Sequence, residues 1–149
     1  MNDYLFESTH PNGTYACLIP SVKSKEDLYA YCVNLGISKL EDPDEYHCTL
    51  IYSKSECPDI SGEDFGNPCR AIPVGFKVLG KEKKVLVLEV YCPNAVRLHN
   101  LFMEKYGATH DYPEYIPHIT VAGEFDGEIP ADIPEFEIEF SGQKIEELS

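Results

Sequence analysis

"HCTL" occupies residues 47–50 and "HITV" residues 118–121, and the relation between these two stretches decides how the rest of the chain folds. Side chains in a strand alternate between faces, so His47 and Thr49 point one way while Cys48 and Leu50 point the other, and His118 and Thr120 share a face in the same manner. A lone H-x-T triplet is most often a core strand with an incidental histidine. Two are harder to dismiss. With five histidines and five threonines in 149 residues, chance supplies roughly 0.17 such triplets.

The surroundings of the two stretches also correspond. "TYACLIP" (14–20) reads as a strand and "SKEDLYAYCVNLG" (24–36) as a helix, with Ser24 able to cap its start and Gly36 to end it. Leu28, Tyr31, Cys32 and Leu35 follow the spacing of one apolar helical face. Pro43 then lies in a polar turn before the strand "HCTLIY" (47–52). The second half repeats the plan with strand "KVLVLEVY" (84–91), helix "PNAVRLHNLFMEKYG" (93–107), whose buried face carries Leu98, Leu101 and Phe102, and strand "HITVAGEF". Adding 71 carries strand 14–20 onto 85–91, Gly36 onto Gly107, His47 onto His118 and Thr49 onto Thr120 without a gap. Residue identity at this offset is no better than chance, and the helix faces are out of step by one residue. The repeat is one of placement.

Further strands are expected at "AIPVGFKVLG" (71–80), which "KEKK" turns back into strand 84–91, and at "EFEIEF" (135–140), where Phe136, Ile138 and Phe140 alternate with glutamates. The predicted architecture is α+β, a single domain of two lobes (about 1–70 and 71–149) with strand-helix-strand units and mostly antiparallel sheets. A pseudo-twofold axis between the lobes would turn both His-Thr pairs into one central groove.

Composition narrows the classes of function. The formal charge of −14, from 26 acidic and 12 basic residues, argues against long nucleic acids, whose binding needs many cationic phosphate contacts. A small anion held by a few donors in a cleft stays compatible. No apolar run approaches the roughly 20 residues that span a bilayer, so no membrane contact is expected. "MNDYLFESTH" lacks a signal-peptide pattern, which points to the cytoplasm. Cys17, Cys32, Cys48 and Cys92 fall inside regular elements and read as buried thiols of a reducing compartment. Cys57 and Cys69 flank the loop "CPDISGEDFGNPC", but no C-x-x-C or H-E-x-x-H spacing accompanies them, so no metal or other cofactor is expected.

Two histidines suit phosphodiester cleavage because imidazole, with an ordinary pKa near 6.5, serves as base when neutral and as acid when protonated at about pH 7. One of the pair would take a proton from the attacking oxygen, and the other would give one to the leaving 5′-oxygen. Thr49 and Thr120 would donate hydrogen bonds to the non-bridging phosphoryl oxygens. His10, His99 and His110 lack a threonine partner and read as surface or helix residues.

With both motifs in hand, the sequence resembles the two-histidine (2H) phosphoesterase superfamily, whose signature is two H-x-[S/T]-h motifs, h being apolar. The resemblance covers nearly the whole chain and implies a two-lobed, LigT-like fold. Within that superfamily "TYACLIP", "YHCTLIYS" and "YIPHITVAGEF" are most similar to phage anti-CBASS phosphodiesterases, which linearise cyclic oligonucleotide immune messengers. This implies a metal-independent enzyme acting on cyclic di- and trinucleotides, with groove residues that hold bases and phosphates. Tyr15 is the stacking candidate, Phe76 and Lys77 are further stacking and phosphate candidates, and Glu146, which shares a face with Lys144 if "QKIEEL" is extended, could accept from a base edge. Cleavage of 2′,5′-linked oligonucleotides or RNA 2′,3′-cyclic phosphates would use the same His and Thr residues. A non-catalytic cyclic-nucleotide sponge is a third reading.

Overall fold

A computed structural model of the chain describes residues 13–53, 69–106 and 114–147. The elements run β1 (Thr14–Pro20), α1 (Val22–Asn34), a 3-10 turn (Pro43–Glu45), β2 (Cys48–Ser53), β3 (Cys69–Leu79), β4 (Val85–Tyr91), α2 (Pro93–Tyr106), β5 (His118–Ala122) and β6 (Ile138–Glu147). The strands form one sheet in the order β2-β1-β6-β3-β4-β5, and every neighbouring pair is antiparallel. Exchanging β2 with β5, β1 with β4 and β6 with β3 reproduces that order from its other end. Each lobe thus contributes three strands, and the lobes meet where β6 pairs with β3.

The position of β6 departs from the sequence expectation, which places the last strand with the second half of the chain, over 135–140. It begins at Ile138, runs to Glu147 and lies against β1 along that strand's whole length, Thr14 opposite Glu147 and Pro20 opposite Phe140. Ile138 and Phe140 are buried and Ile145 packs on the same core, while Lys144 and Glu146 project from the other face. Alternation of this kind lets a charged stretch serve as a strand between two others.

One hydrophobic core spans both lobes, joining Leu18, Leu28 and Leu50 to Leu86, Leu98, Ile119 and Phe140. Leu28 and Cys32 of α1 and Leu98 and Phe102 of α2 are buried in it, as the apolar spacing requires. On the opposite sheet face Tyr15 and Cys17 form a small cluster with Ile19 and Tyr52. The five cysteines among the described residues are buried free thiols. Cys69 hydrogen-bonds to Cys92, and together with the backbone N–H groups of Ala95 and Asn94 it lowers the Cys92 thiol, while the same bond and burial raise that of Cys69. Cys57, Gly107, His10 and His110 lie outside the described residues.

The repeat carries a one-residue slip. β1 and β4 coincide end to end at an offset of 71, and α1 and α2 start at the same offset. Their buried faces instead correspond at 70, Leu28 with Leu98 and Cys32 with Phe102, and Ala16 corresponds with Leu86 in sheet register. The His-Thr strands keep 71, so the second half holds one extra residue between its helix and its motif.

Helix α1 starts earlier than expected. Ser21, not Ser24, caps it, its Oγ accepting from Ser24 N at 3.2 Å, and Gly36 at φ +76° follows its end. Ser24 is buried in the first turn because its Oγ accepts from Glu139 N at 2.9 Å, while Ser21 N donates to Glu139 O at 2.8 Å. These bonds tie α1 to β6. Replacing Ser24 by Ala strands the Glu139 N–H and is expected to cost about 1 to 3 kcal/mol, against about 1 kcal/mol for Ser21→Ala as a lost cap. Urea unfolding of both variants measures the two losses.

Candidate active site

Each motif stands at the start of a strand, and each histidine is fixed by the same local bond. His47 Nδ1 lies 2.9 Å from Glu45 O, and His118 Nδ1 lies 3.0 Å from Ile116 O. A carbonyl oxygen can only accept, so both Nδ1 atoms carry hydrogen, and Nε2 is the nitrogen that takes up or releases a proton. The bond spans two residues in both lobes.

Directly after each threonine the sheet register slips. Ala16 and Cys17 on β1 face Ile51 and Thr49, which leaves Leu50 as an extra residue on β2; Leu86 and Val87 on β4 face Ala122 and Thr120, which leaves Val121 extra on β5. Both slips are β-bulges, and Leu50, Ile51, Val121 and Ala122 are all fully buried. Two successive core-facing residues thus follow each H-x-T. The bulge also diverts a carbonyl from its own ladder toward the other lobe: Leu50 O accepts from His99 Nδ1 at 2.6 Å, and Val121 O accepts from Glu41 N at 2.9 Å. The apolar fourth position of each motif is this bulge residue.

The motifs lie side by side. β2 touches β5, and the Cys48 thiol, next to His47, accepts from the backbone N–H of His118. Tyr115 Oη, three residues before His118, donates to Thr49 O at 2.7 Å. Burial pushes the Cys48 thiol up to about 12 and the Tyr115 phenol well above its ordinary range, so both remain protonated.

The expected binding residues divide between the two sheet faces. Tyr15 lies with the His-Thr pair of lobe one: its hydroxyl is 3.3 Å from Thr49 Oγ1, and its ring meets the His47 ring edge-on at 6.1 Å. Glu146 stands directly across from Tyr15 on β6 and pairs with Lys144 at 2.7 Å. Lys77 is opposite Val87, which is opposite Thr120, just as Lys144 is opposite Cys17, which is opposite Thr49. The two lysines hold corresponding places, and Lys77 Nζ is 4.0 Å from Glu89 Oε2. Phe76 is a correction. It lies opposite Leu88 and packs into the main core, because the slip between Pro73 and Gly75 turns it to that face, so it is withdrawn as a stacking residue.

Sequence reasoning also missed the role of His99. It is a helix residue, as expected, but it is buried, bonded to Leu50 O and stacked on Tyr115 at 4.1 Å and 5°. Its position among Leu98, Leu101 and Phe102 was the available signal, since a helix histidine flanked by core residues sits close to a buried face. Among the described residues no cluster of three or more His, Cys, Asp or Glu is arranged to hold a metal ion, and no helix is long and apolar enough to cross a membrane.

An antiparallel two-lobed α+β fold that sets one H-x-T strand from each lobe side by side is shared with solved structures that include a phosphoesterase. The solved structures with the same fold include the Thermus thermophilus protein TT0787, at TM-score 0.57 and 18% identity over 89% of this chain and 86% of that one, and Escherichia coli LigT, at TM-score 0.57 and 12% identity over 91% and 87%. A further crystal structure, of a phosphoesterase, matches at TM-score 0.58 and 14% identity over 91% of this chain and 87% of that one. The chain belongs to the anti-CBASS protein Acb1 family, whose model matches residues 12–149. It is 30% identical over 110 residues to the anti-CBASS protein Acb1 of Vibrio phage KVP40, covering 74% of this chain and 72% of that protein.

Burial lowers the pKa of His99 below the ordinary imidazole value of 6.5, partly offset by its bond to Leu50 O. The unfolded chain therefore binds this proton more readily than the folded one, and the stability held by neutral His99 is lost as pH falls below about 6.5. Melting temperature is expected to drop from pH 7 to pH 5 less steeply in His99→Phe than in the wild type, as thermal unfolding across that range records.

Proposed function

We propose that this chain is a metal-independent phosphodiesterase that hydrolyses 3′–5′ bonds of cyclic di- and trinucleotide immune messengers and thereby blocks CBASS defence in the host cytoplasm. The observation that carries the reading is the mirrored pair of Nδ1-to-carbonyl bonds, which prepares two imidazoles with the same nitrogen available for proton transfer. The scissile phosphate sits between them. One Nε2 removes a proton from the attacking oxygen, and the other, protonated, delivers one to the leaving 5′-oxygen. Thr49 and Thr120 donate to the non-bridging oxygens as charge shifts onto them. For Thr49 to spend its proton on phosphate, the Tyr15 hydroxyl must donate to Thr49 Oγ1, which the 3.3 Å separation permits.

Membership of the anti-CBASS family supports the substrate class, and so does the arrangement around the motifs. Tyr15 offers a ring beside His47 for a base, Glu146 an acceptor for a base edge, and Lys77 a cation for a neighbouring phosphate. A net charge of −14 is compatible with so small a ligand, because a cation within a few ångströms of a phosphate outweighs distant, screened charge.

The test is incubation of purified protein with cyclic di- and trinucleotides and 2′,5′-linked oligoadenylate in excess EDTA, with products resolved by chromatography after denaturation. Linear products from the cyclic substrates are expected. Loss of all turnover in EDTA contradicts the metal-free scheme, and intact cyclic nucleotide released on denaturation supports a sponge. His47→Ala and His118→Ala are each expected to lower kcat by about 100-fold or more with the fold retained, and a fully active single variant refutes paired acid-base catalysis.

A further inference from the structure

The hydrogen bonds between the two motifs have a definite direction. Thr49 O is a carbonyl and can only accept, so the Tyr115 hydroxyl spends its single proton there, at 2.7 Å. The Cys48 thiol, 3.9 Å from Tyr115 Oη, is then the donor in that contact, and it accepts in turn from the backbone N–H of His118. The chain of donation runs His118 N–H, Cys48 S–H, Tyr115 O–H, Thr49 C=O. It begins on the main chain of one catalytic residue and ends on the main chain of another, in the opposite lobe. His99 from α2 closes it, stacked on the Tyr115 ring and bonded to the next carbonyl, Leu50 O, that of the bulge residue.

Among the described residues, the two motif strands are held differently. Val121 O of β5 receives a backbone donor, Glu41 N, beside a backbone bridge between Leu40 and Ala122. Among the described residues, the Thr49 and Leu50 carbonyls of β2 receive their cross-lobe donors from side chains. The placement of His47 and Thr49 relative to His118 thus depends in part on side chains that a point substitution can remove.

We propose that Cys48, Tyr115 and His99 form a positioning bridge that fixes the spacing of the two catalytic halves, acting through the backbone of β2. The proposal rests on the two-histidine reading of the site. Its consequence is specific: loss of the bridge lowers turnover and leaves substrate affinity nearly intact, because the ligand still finds its groove while the acid and base no longer flank the phosphate at one distance.

Tyr115→Phe keeps the ring on His99 and deletes only the hydroxyl, and Cys48→Ala deletes the thiol link. Cys32→Ala makes the same chemical change at another fully buried thiol, in α1, and serves as control. With cyclic tri-AMP and 3′,3′-cyclic GMP-AMP as probes, Tyr115→Phe and Cys48→Ala are each expected to lower kcat by about 10- to 100-fold with KM within about twofold of wild type. Cys32→Ala is expected to lower the melting temperature and leave kcat within about twofold. Wild-type kcat in either bridge variant, or an equal loss in Cys32→Ala, overturns the proposal. Absence of wild-type turnover on both probes overturns the functional reading instead, and the bridge is then judged by the imidazole ¹⁵N signals of His47 and His118. They are expected to shift in Tyr115→Phe and stay in place in Cys32→Ala; unchanged signals in Tyr115→Phe overturn it.

Discussion

A backbone carbonyl has no proton to give, and around that constraint the site is built. Glu45 O and Ile116 O each take the Nδ1 hydrogen of the histidine two residues on, which fixes ring orientation and tautomer together. Thr49 O and Leu50 O in turn decide which way Tyr115 and His99 must donate. Four main-chain acceptors thus set the proton positions of four side chains, two of them the proposed proton carriers. Such fixing matters most for groups whose work is to move a proton along one line.

The bulge explains why the motif has four positions rather than three. Alternation alone would send the second residue after each threonine to the same face as that threonine. Instead Leu50 and Ile51 in one lobe, and Val121 and Ala122 in the other, turn into the core together. Each pair anchors its strand at the point where the H-x-T side chains leave it, and each frees one carbonyl for the opposite lobe. Burying an unpaired carbonyl costs about 1 to 3 kcal/mol, so a bulge at this place requires a donor from across the molecule. The lobes are coupled by that need.

The chain declared the repeat because its landmarks are local: strand limits, helix starts and the two H-x-T triplets stand in sequence at a fixed distance. What it hid is non-local. The pairing of β6 with β1 joins residues more than a hundred positions apart: alternation marks "EFEIEF" as a strand without naming its partner, and "QKIEEL" reads as a charge run until two flanking strands are known. Phe76 was misplaced because the slip beside Val74 reverses its face, and no propensity marks that slip. Ser24 has the composition of a cap and serves as one end of a bond to β6, while Ser21 does the capping. His99 lacked a threonine and so lacked a catalytic pattern; its partner is a carbonyl, which every residue possesses and no sequence pattern displays.

The one-residue slip between the halves shows what this kind of site demands. Buried helix faces correspond at an offset of 70 and the His-Thr strands at 71, so the core and the His-Thr motifs are in step at different offsets. Hydrophobic packing lets Cys32 stand in one lobe where Phe102 stands in the other, since the core requires apolar side chains that together fill its space. The proposed proton transfer tolerates far less, and the residues proposed to share it are the same in both halves. The His and Thr of the motifs are identical in both lobes, while among the described residues the supports differ: a backbone donor pins β5, and Tyr115 with His99 pins β2. The symmetry of the site is chemical, and its scaffold is free to be asymmetric wherever a different donor can satisfy the same carbonyl.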